Sequence, residues 1–270
     1  MHLAVPFSST VVFIPKKQIQ RVCAIDLGIN TTATASILTS DGTVVARHFF
    51  HRAADIDRRD KGLAQIRRKA RQTTGATGVL STGFCASQYR KAANRNREMA
   101  RTLSRQIVMF AQVYGAQAIV LEQLHGFRPR GGRGTSTLRQ RFHGWLHRQL
   151  AQHVQARAEE AGLRTEYVHP AGTSKYAFDG SGVVRRDPTN RSLATFPTGK
   201  QYHADLSASY NIGARYFARI LGVTVRKNNA CGVGQRSRTQ PRTPVTLSTL
   251  WHAHRRSAGE CEAATTPSHG

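Results

Sequence analysis

Acidic residues are scarce in this chain. Fifteen Asp and Glu stand against 40 Lys and Arg in 270 residues, a formal charge of +25. So large an excess disfavours a neutral or cationic partner and calls for a polyanion, with nucleic acid first and an anionic membrane surface second. Long apolar runs are also missing. Nothing approaches the roughly 18 consecutive apolar residues of a bilayer span. Met1 to Pro15 is mildly apolar, but it lacks a basic start and is broken by Pro6 and serines, so it does not read as a signal peptide. The four cysteines, Cys23, Cys85, Cys231 and Cys261, form no CxxC and no framework spacing. That excludes a disulfide scaffold and a zinc knuckle and fits a reducing cytoplasm. There is no internal repeat.

The stretch Arg21 to Phe50 organises what is present. Val22 to Leu27 is a short apolar run rich in β-formers that carries one carboxylate, Asp26, near its end. Gly28-Ile29-Asn30 turns the chain, Thr32 to Leu38 returns, Asp41-Gly42 is a hairpin signal, and Val44 to Phe50 is the third strand. A carboxylate inside an apolar strand is costly unless something binds it. On its own Asp26 is equally well read as a capped, hydrogen-bonded core residue.

Residues 1–20 hold one expected strand, Thr10 to Ile14, and a basic linker. After the meander, Arg52 to Arg71 and Ala86 to Tyr114 read as helices. The second has an apolar seam at Met99, Leu103, Ile107, Phe110 and Tyr114. Between Arg52 and Arg105 the chain has 14 Lys and Arg and four acids. One such helix is ordinarily a solvated face; two in succession favour phosphate contact, through Arg67, Arg68, Arg90, Arg97, Arg101 and Arg105. Ala118 to Leu121 is a further apolar strand with Glu122 at its C-terminal end, followed by the Gly/Arg loop HGFRPRGGRG, which adds Arg128 and Arg130 to the candidate phosphate contacts. Thr137 can cap a helix from Leu138 to Ala161, with Phe142 and Trp145 read as core. Arg164 to His169 is another buried-type strand. Residues 170–203 are turn-rich and read as a small two-hairpin insert. Asp205 opens a last helix, Leu206 to Leu221, and residues 226–270 read as an irregular, disordered basic tail.

Three acids stand apart from the polar and turn contexts of the others: Asp26 in a strand, Glu122 at a strand end, and Asp205 at a helix start. A meander, a parallel strand reached through helices and a closing helix can bring such residues to one sheet edge. Hard oxygen donors of this kind suit Mg²⁺ or Mn²⁺. Two ions about 4 Å apart would activate water and stabilise the leaving oxygen of a phosphodiester. Without metal the three charges repel one another.

IDLGINTTAT, IVLEQLHGF and HADLSASYNIG closely resemble the three split RuvC motifs of the TnpB (OrfB) proteins of insertion sequences, which are RNA-guided DNA nucleases related to type V CRISPR effectors. The resemblance runs from Lys16 to Leu221, and HRAADIDRRDKGLAQIRRKAR and RKAANRNREMARTLSRQIV look like that family's linking helices. It implies an α/β RNase H-like (RuvC-type) mixed sheet with helices on both faces, in a nuclease domain over residues 21–225 with basic helices across 52–114. It implies that Asp26, Glu122 and Asp205 are catalytic metal ligands for two Mg²⁺ or Mn²⁺ ions, and that DNA and a guide RNA are the partners, in a prokaryotic cytoplasm, with no membrane. The family's usual Asn after the last Asp is Ser207 here. Its zinc ribbon keeps Thr173 and Ser174, but Ala177, Gly180, Phe196 and Gly199 stand at the four cysteine positions, so no zinc is expected and Tyr176, Phe178 and Phe196 are expected to form a substitute apolar core. The family's long N-terminal region, which grips the guide and reads the DNA motif beside the target, has no counterpart in residues 1–20, and guided cleavage is expected to need it supplied.

Two other functions compete. A nucleic-acid-binding remnant that no longer cuts has the same charge but needs no complete carboxylate trio. A sugar-kinase or actin-like ATPase shares IDLG followed by Thr, but it requires a second DxG loop and a late Gly-rich adenosine loop. GGRG at Gly131 is misplaced for that role, and +25 argues against it.

Overall fold

A computed structural model describes residues 10–28, 32–75, 78–124, 147–223 and 244–264. Its centre is a five-stranded mixed sheet in the order β3-β2-β1-β4-β5. β1 (Arg21–Asp26), β2 (Ala33–Thr39) and β3 (Val44–Phe50) form the expected antiparallel meander. β4 (Ala118–Glu122) lies parallel to β1, and β5 (Arg164–Val168) parallel to β4. Val22, Cys23, Ala24 and Ile25 are all fully buried, as a strand covered on both faces requires.

Alternation along each strand sends side chains into two cores. Val22, Ala24, Leu38, Ala118 and Val120 face one layer; Cys23, Ile25, Ala35, Ile37, Ile119 and Leu121 face the other. The first layer is covered by α4 (Ala204–Ile220), whose Ile212, Tyr216 and Phe217 are fully buried. Each such side chain contributes roughly 1.5–3 kcal/mol. Gly213 lets this helix lie close: a Cβ there would sit 3.0 Å from Leu38 Cδ1 and 3.2 Å from Ala24 Cβ. The second layer is covered by α2 (Ala86–Val113), through Leu103, Ile107, Val108 and Ala111, and by α3 (His147–Glu160), through Leu150, Val154 and Ala158. Helices therefore cover both faces. α1 (Ala53–Thr74) packs on α2, with Ile56 against Met99 and Ala100.

The insert folds as a second, three-stranded antiparallel sheet of β6 (Arg185–Arg186), β7 (Leu193–Thr195) and β8 (Gln201–His203). Its interior is aromatic. Phe178 meets Phe196, Tyr202 and Tyr210 edge-on, with ring centroids 5.5, 4.9 and 5.3 Å away. At the positions aligned with ribbon cysteines, Ala177 and Phe196 are buried, while Gly180 and Gly199 close tight turns onto the carbonyls of Ala177 and Phe196 at positive φ. Tyr176 stays outside this cluster and pairs with Val183 through an isolated bridge.

Two sequence expectations are corrected. Thr10 to Ile14 is not a strand: its alternating β-formers find no ladder partner, and Val12 is exposed. The segment is instead tied to β5 by Arg164, which donates to the Ile14 carbonyl at 2.6 Å and lies over the Phe13 ring. The tail is not irregular throughout, because α5 (Leu247–Ala264) docks on α4 and the insert. Leu247 and Leu250 are buried, Trp251 meets Phe178 edge-on, and its indole N–H donates to the Gly42 carbonyl at 2.9 Å. A short apolar set inside a long polar stretch supplies this contact, and its partners are distant in sequence, Gly42 lying 209 residues before Trp251. Residues 125–146 are outside the described residues, so the expected Thr137 cap and core positions Phe142 and Trp145 are too. Among the described residues no helix is long and apolar enough to cross a membrane.

Candidate active site and nucleic-acid interface

The register places the first two carboxylates side by side. Ile25 pairs with Leu121 across β1 and β4, so Asp26 and Glu122 end adjacent parallel strands. Both are in phase with the residues that pack under α4: Val22 and Ala24 on β1, Ala118 and Val120 on β4. Asp205 enters the same layer from above, in the first turn of α4. The three therefore lie on one face toward the C-terminal edge of the sheet.

The three carboxylates act on one another electrostatically. Burial, then the charges of Glu122 and Asp205, hold the Asp26 carboxyl well above its usual range, and Arg186 offsets part of this. Burial also raises Glu122, against the Thr173 hydroxyl and the nearby Arg215, which draw it back. Thr173 Oγ1 donates to Glu122 Oε1 at 2.5 Å, and Arg186 Nη1 lies 3.8 Å from Asp205 Oδ1. The buried hydroxyls of Thr34, directly opposite Asp26 in the β1–β2 register, and of Ser207, in the turn that follows Asp205, have no hydrogen-bond partner. The carboxylates, with the Thr34 hydroxyl across the ladder from Asp26, are oxygen groups of the kind a hard divalent cation takes. In the geometry described, Arg186 and Thr173 engage two of the carboxylates. Among the described residues, no three His, Cys, Asp or Glu side chains converge closely enough to close on a metal ion.

Local sequence signals do not identify three residues that build this edge. Asn211 is buried on α4, and its Nδ2 donates to the carbonyls of Thr173 at 3.0 Å and Tyr176 at 2.8 Å, which sets the loop that brings Thr173 to Glu122. Arg215 donates to the His169 carbonyl at 2.7 Å, at the end of β5. Arg186 comes from the insert, on a two-residue strand. Asn211 lies within the HADLSASYNIG motif, but its partners, like those of Arg215 and Arg186, are decided only by packing between segments distant in sequence.

The six arginines expected on the basic helices, Arg67, Arg68, Arg90, Arg97, Arg101 and Arg105, are all exposed. Arg128 and Arg130 lie outside the described residues. Arg59 is buried instead, paired with Asp60 at 2.8 Å and donating to Asn96 at 3.3 Å. A cleft of about 400 Å³ between α1 and α2 is lined by Arg59, Lys69, Lys91 and Arg95, and a second depression by Arg67, Arg68 and Arg71. Neither includes a carboxylate of the trio.

TnpB-like protein ORF457 of Acidianus two-tailed virus is 24% identical to this chain over 218 residues, covering 79% of the chain and 45% of the viral protein. The chain is thus similar in sequence to a TnpB-like protein. It spans less than half the length of that TnpB-like relative. No protein-family model matches the chain. The fold is shared with type V CRISPR effectors. A Cas12f1–sgRNA–target DNA complex gives a TM-score of 0.51 at 13% identity, over 74% of this chain and 51% of that one. CasPhi-2 (Cas12j) bound to crRNA gives 0.52 at 13% identity, over 78% and 49%. The resemblance of the three sequence motifs to TnpB thus has counterparts in both sequence and fold comparisons.

Proposed function

We propose that this chain is the nuclease part of a TnpB-type, RNA-guided DNA endonuclease, with an RNase H-like fold and a RuvC-type site in which Asp26, Glu122 and Asp205 hold two Mg²⁺ or Mn²⁺ ions. The observation that carries the proposal is that Asp26 and Glu122 end adjacent parallel strands, Asp205 opens the helix packed over the same face, and the charges of Glu122 and Asp205 both act on Asp26. The sheet order, with β2 antiparallel between edge strand β3 and central β1, and with β4 and β5 parallel to β1, supports the fold assignment. The +25 charge and the exposed arginines of α1 and α2 support a nucleic-acid substrate.

Bound divalent ions supply Lewis acidity toward the scissile phosphate and a more acidic attacking water. The chain's own residues do the rest. Asp26, Glu122 and Asp205 provide the negative oxygen donors. Thr173 orients the Glu122 carboxylate by its hydroxyl bond, and Asn211 holds the loop that carries Thr173. Arg186, 3.8 Å from Asp205, offers a guanidinium that can meet phosphate oxygens of a strand bound at this edge. Water's oxygen becomes bonded to phosphorus, the P–O bond to the leaving sugar oxygen breaks, and that oxygen takes a proton.

The test is magnesium-dependent nicking of single-stranded DNA, with a TnpB-type N-terminal region and guide supplied if the chain alone is inert. Asp26→Ala, Glu122→Ala and Asp205→Ala should each abolish most cleavage, because residues acting as one unit do not contribute additively. Nucleic-acid binding should be retained. Asp187→Asn, in an exposed turn of the insert, should cleave like the parent. Cleavage by Asp26→Ala equal to the parent would refute the site. A second reading, a binding remnant that does not cut, is favoured by the lack of a converged ligand set among the described residues, and it prevails if the parent never cuts in the supplemented assay.

A further inference from the structure

β3 is an edge strand, and its side chains alternate between the two layers. Ala46, His48 and Phe50 turn toward α2, where His48 and Phe50 meet Phe110. The opposite side of the strand carries Arg47 and Phe49, and His51 continues the same phase just past its end. Arg47 Nη1 donates to Tyr202 Oη at 3.3 Å. Phe49 packs against the layer under α4, and its ring meets His203 with centroids 4.5 Å apart. His51 is exposed and stacks on the outer side of Phe49, centroids 6.0 Å apart with planes inclined by 17°. The rings form a row from His51 through Phe49 to His203, two residues before Asp205. Arg186, 3.8 Å from Asp205, stands at the inner end, and Arg47 flanks the row on the strand.

Interior packing explains Phe49 but not His51, whose outer face is exposed at the end of an edge strand. Rings interleaved with guanidinium groups match single-stranded nucleic acid. An unpaired base offers a π face to stack, and its flanking phosphates meet the cations. A duplex offers no such face, because its bases already stack on one another. We infer that His51, Phe49 and His203 form a stacking platform for one unpaired nucleobase of the strand presented to Asp26, Glu122 and Asp205, with Arg47 and Arg186 taking the adjacent phosphates. The inference rests on the nuclease reading above for the direction of that strand. The base seats on the exposed outer face of His51, and the strand runs from there along the row toward the carboxylates at its inner end.

The test compares a fluorescent oligothymidylate with an abasic oligomer of equal phosphate number, by anisotropy at fixed salt. The parent chain should bind the thymidylate more tightly. His51→Ala should weaken thymidylate binding about 5- to 150-fold, the range of one lost base–aromatic stack, and leave the abasic strand unchanged. His51→Trp should restore or exceed the parent's preference. The platform is overturned if the parent does not distinguish the two strands, if His51→Ala weakens both equally, or if it changes neither. Binding and cleavage are read separately. Loss of base preference in a chain that still nicks DNA refutes the platform alone, and an intact platform in a chain that never nicks refutes the nuclease reading alone.

Discussion

Replacing Phe178 with Ala should unfold the insert before the main sheet. Phe178 is 8% exposed and is ringed by Phe196, Tyr202, Tyr210 and Trp251 at centroid distances of 5.5, 4.9, 5.3 and 6.3 Å, with the Lys200 ammonium 5.0 Å from its face. It stands at the centre of the region where the TnpB ribbon motif places metal-binding cysteines, so no metal-ligand bond is left to share the load. Truncating a buried Phe costs about 3–5 kcal/mol, of which the lost edge-on ring contacts are part. Taking about 4 kcal/mol and a urea slope of about 2 kcal/mol/M, the midpoint should fall by about 2 M for the unit that contains the insert. Trp251 reports directly, because its indole touches Phe178. Urea titration followed by tryptophan fluorescence should show the early transition, while far-ultraviolet dichroism of the main sheet changes later. Phe178→Leu should lose less than about 1.5 kcal/mol, since it keeps most of the apolar volume. Arg186 rides on this insert, so nucleic-acid cleavage should fall with the early transition and not the late one. A Phe178→Ala midpoint within about 0.3 M of the parent would show that the aromatic cluster does not hold the insert.

Elemental analysis should find no stoichiometric zinc, because Ala177, Gly180, Phe196 and Gly199 offer no ligand atoms; bound zinc at one equivalent refutes this. Changing Arg97, Arg101 and Arg105 together to Gln should lower the slope of log affinity against log salt by up to about three units, and an unchanged slope would make that face plain solvated surface. Thr173→Val should reduce cleavage more than binding, because it frees Glu122 from its hydroxyl donor; equal loss of both would indicate misfolding instead. Burial raises Tyr210 and Tyr216 to about 12. Their contribution is fully present below pH about 10, where unfolded tyrosine stays protonated, and is lost as pH rises through about 12. Tyrosinate absorbance should show these two ionising late, with stability falling across the same window, and complete titration of all seven tyrosines near pH 10 in the folded protein would refute the burial.

The strands were legible because their signals are local. The apolar run ending at Asp26, the Asp41-Gly42 turn and the Val44–Phe50 strand depend on alternation and turn chemistry within a few residues of one another. The three acids could be singled out for the same reason: each interrupts an apolar context. That Asp26 and Glu122 share a face is a matter of register between strands 96 residues apart, and only the parallel pairing of Ile25 with Leu121 decides it. Thr10 to Ile14 has a strand's composition but no strand, since a ladder needs a partner edge as well as β-branched residues. The C-terminal helix was hidden for the opposite reason. Leu247, Leu250 and Trp251 are too few to overcome the polarity around them, and they become a core only because Gly42, Phe178 and α4 supply the other half. Arg186, Thr173 and Asn211 show the same limit at the site. A side chain's residue type is written in the chain, but the carboxylate or carbonyl it meets is set by packing between segments, where the contact energy lies.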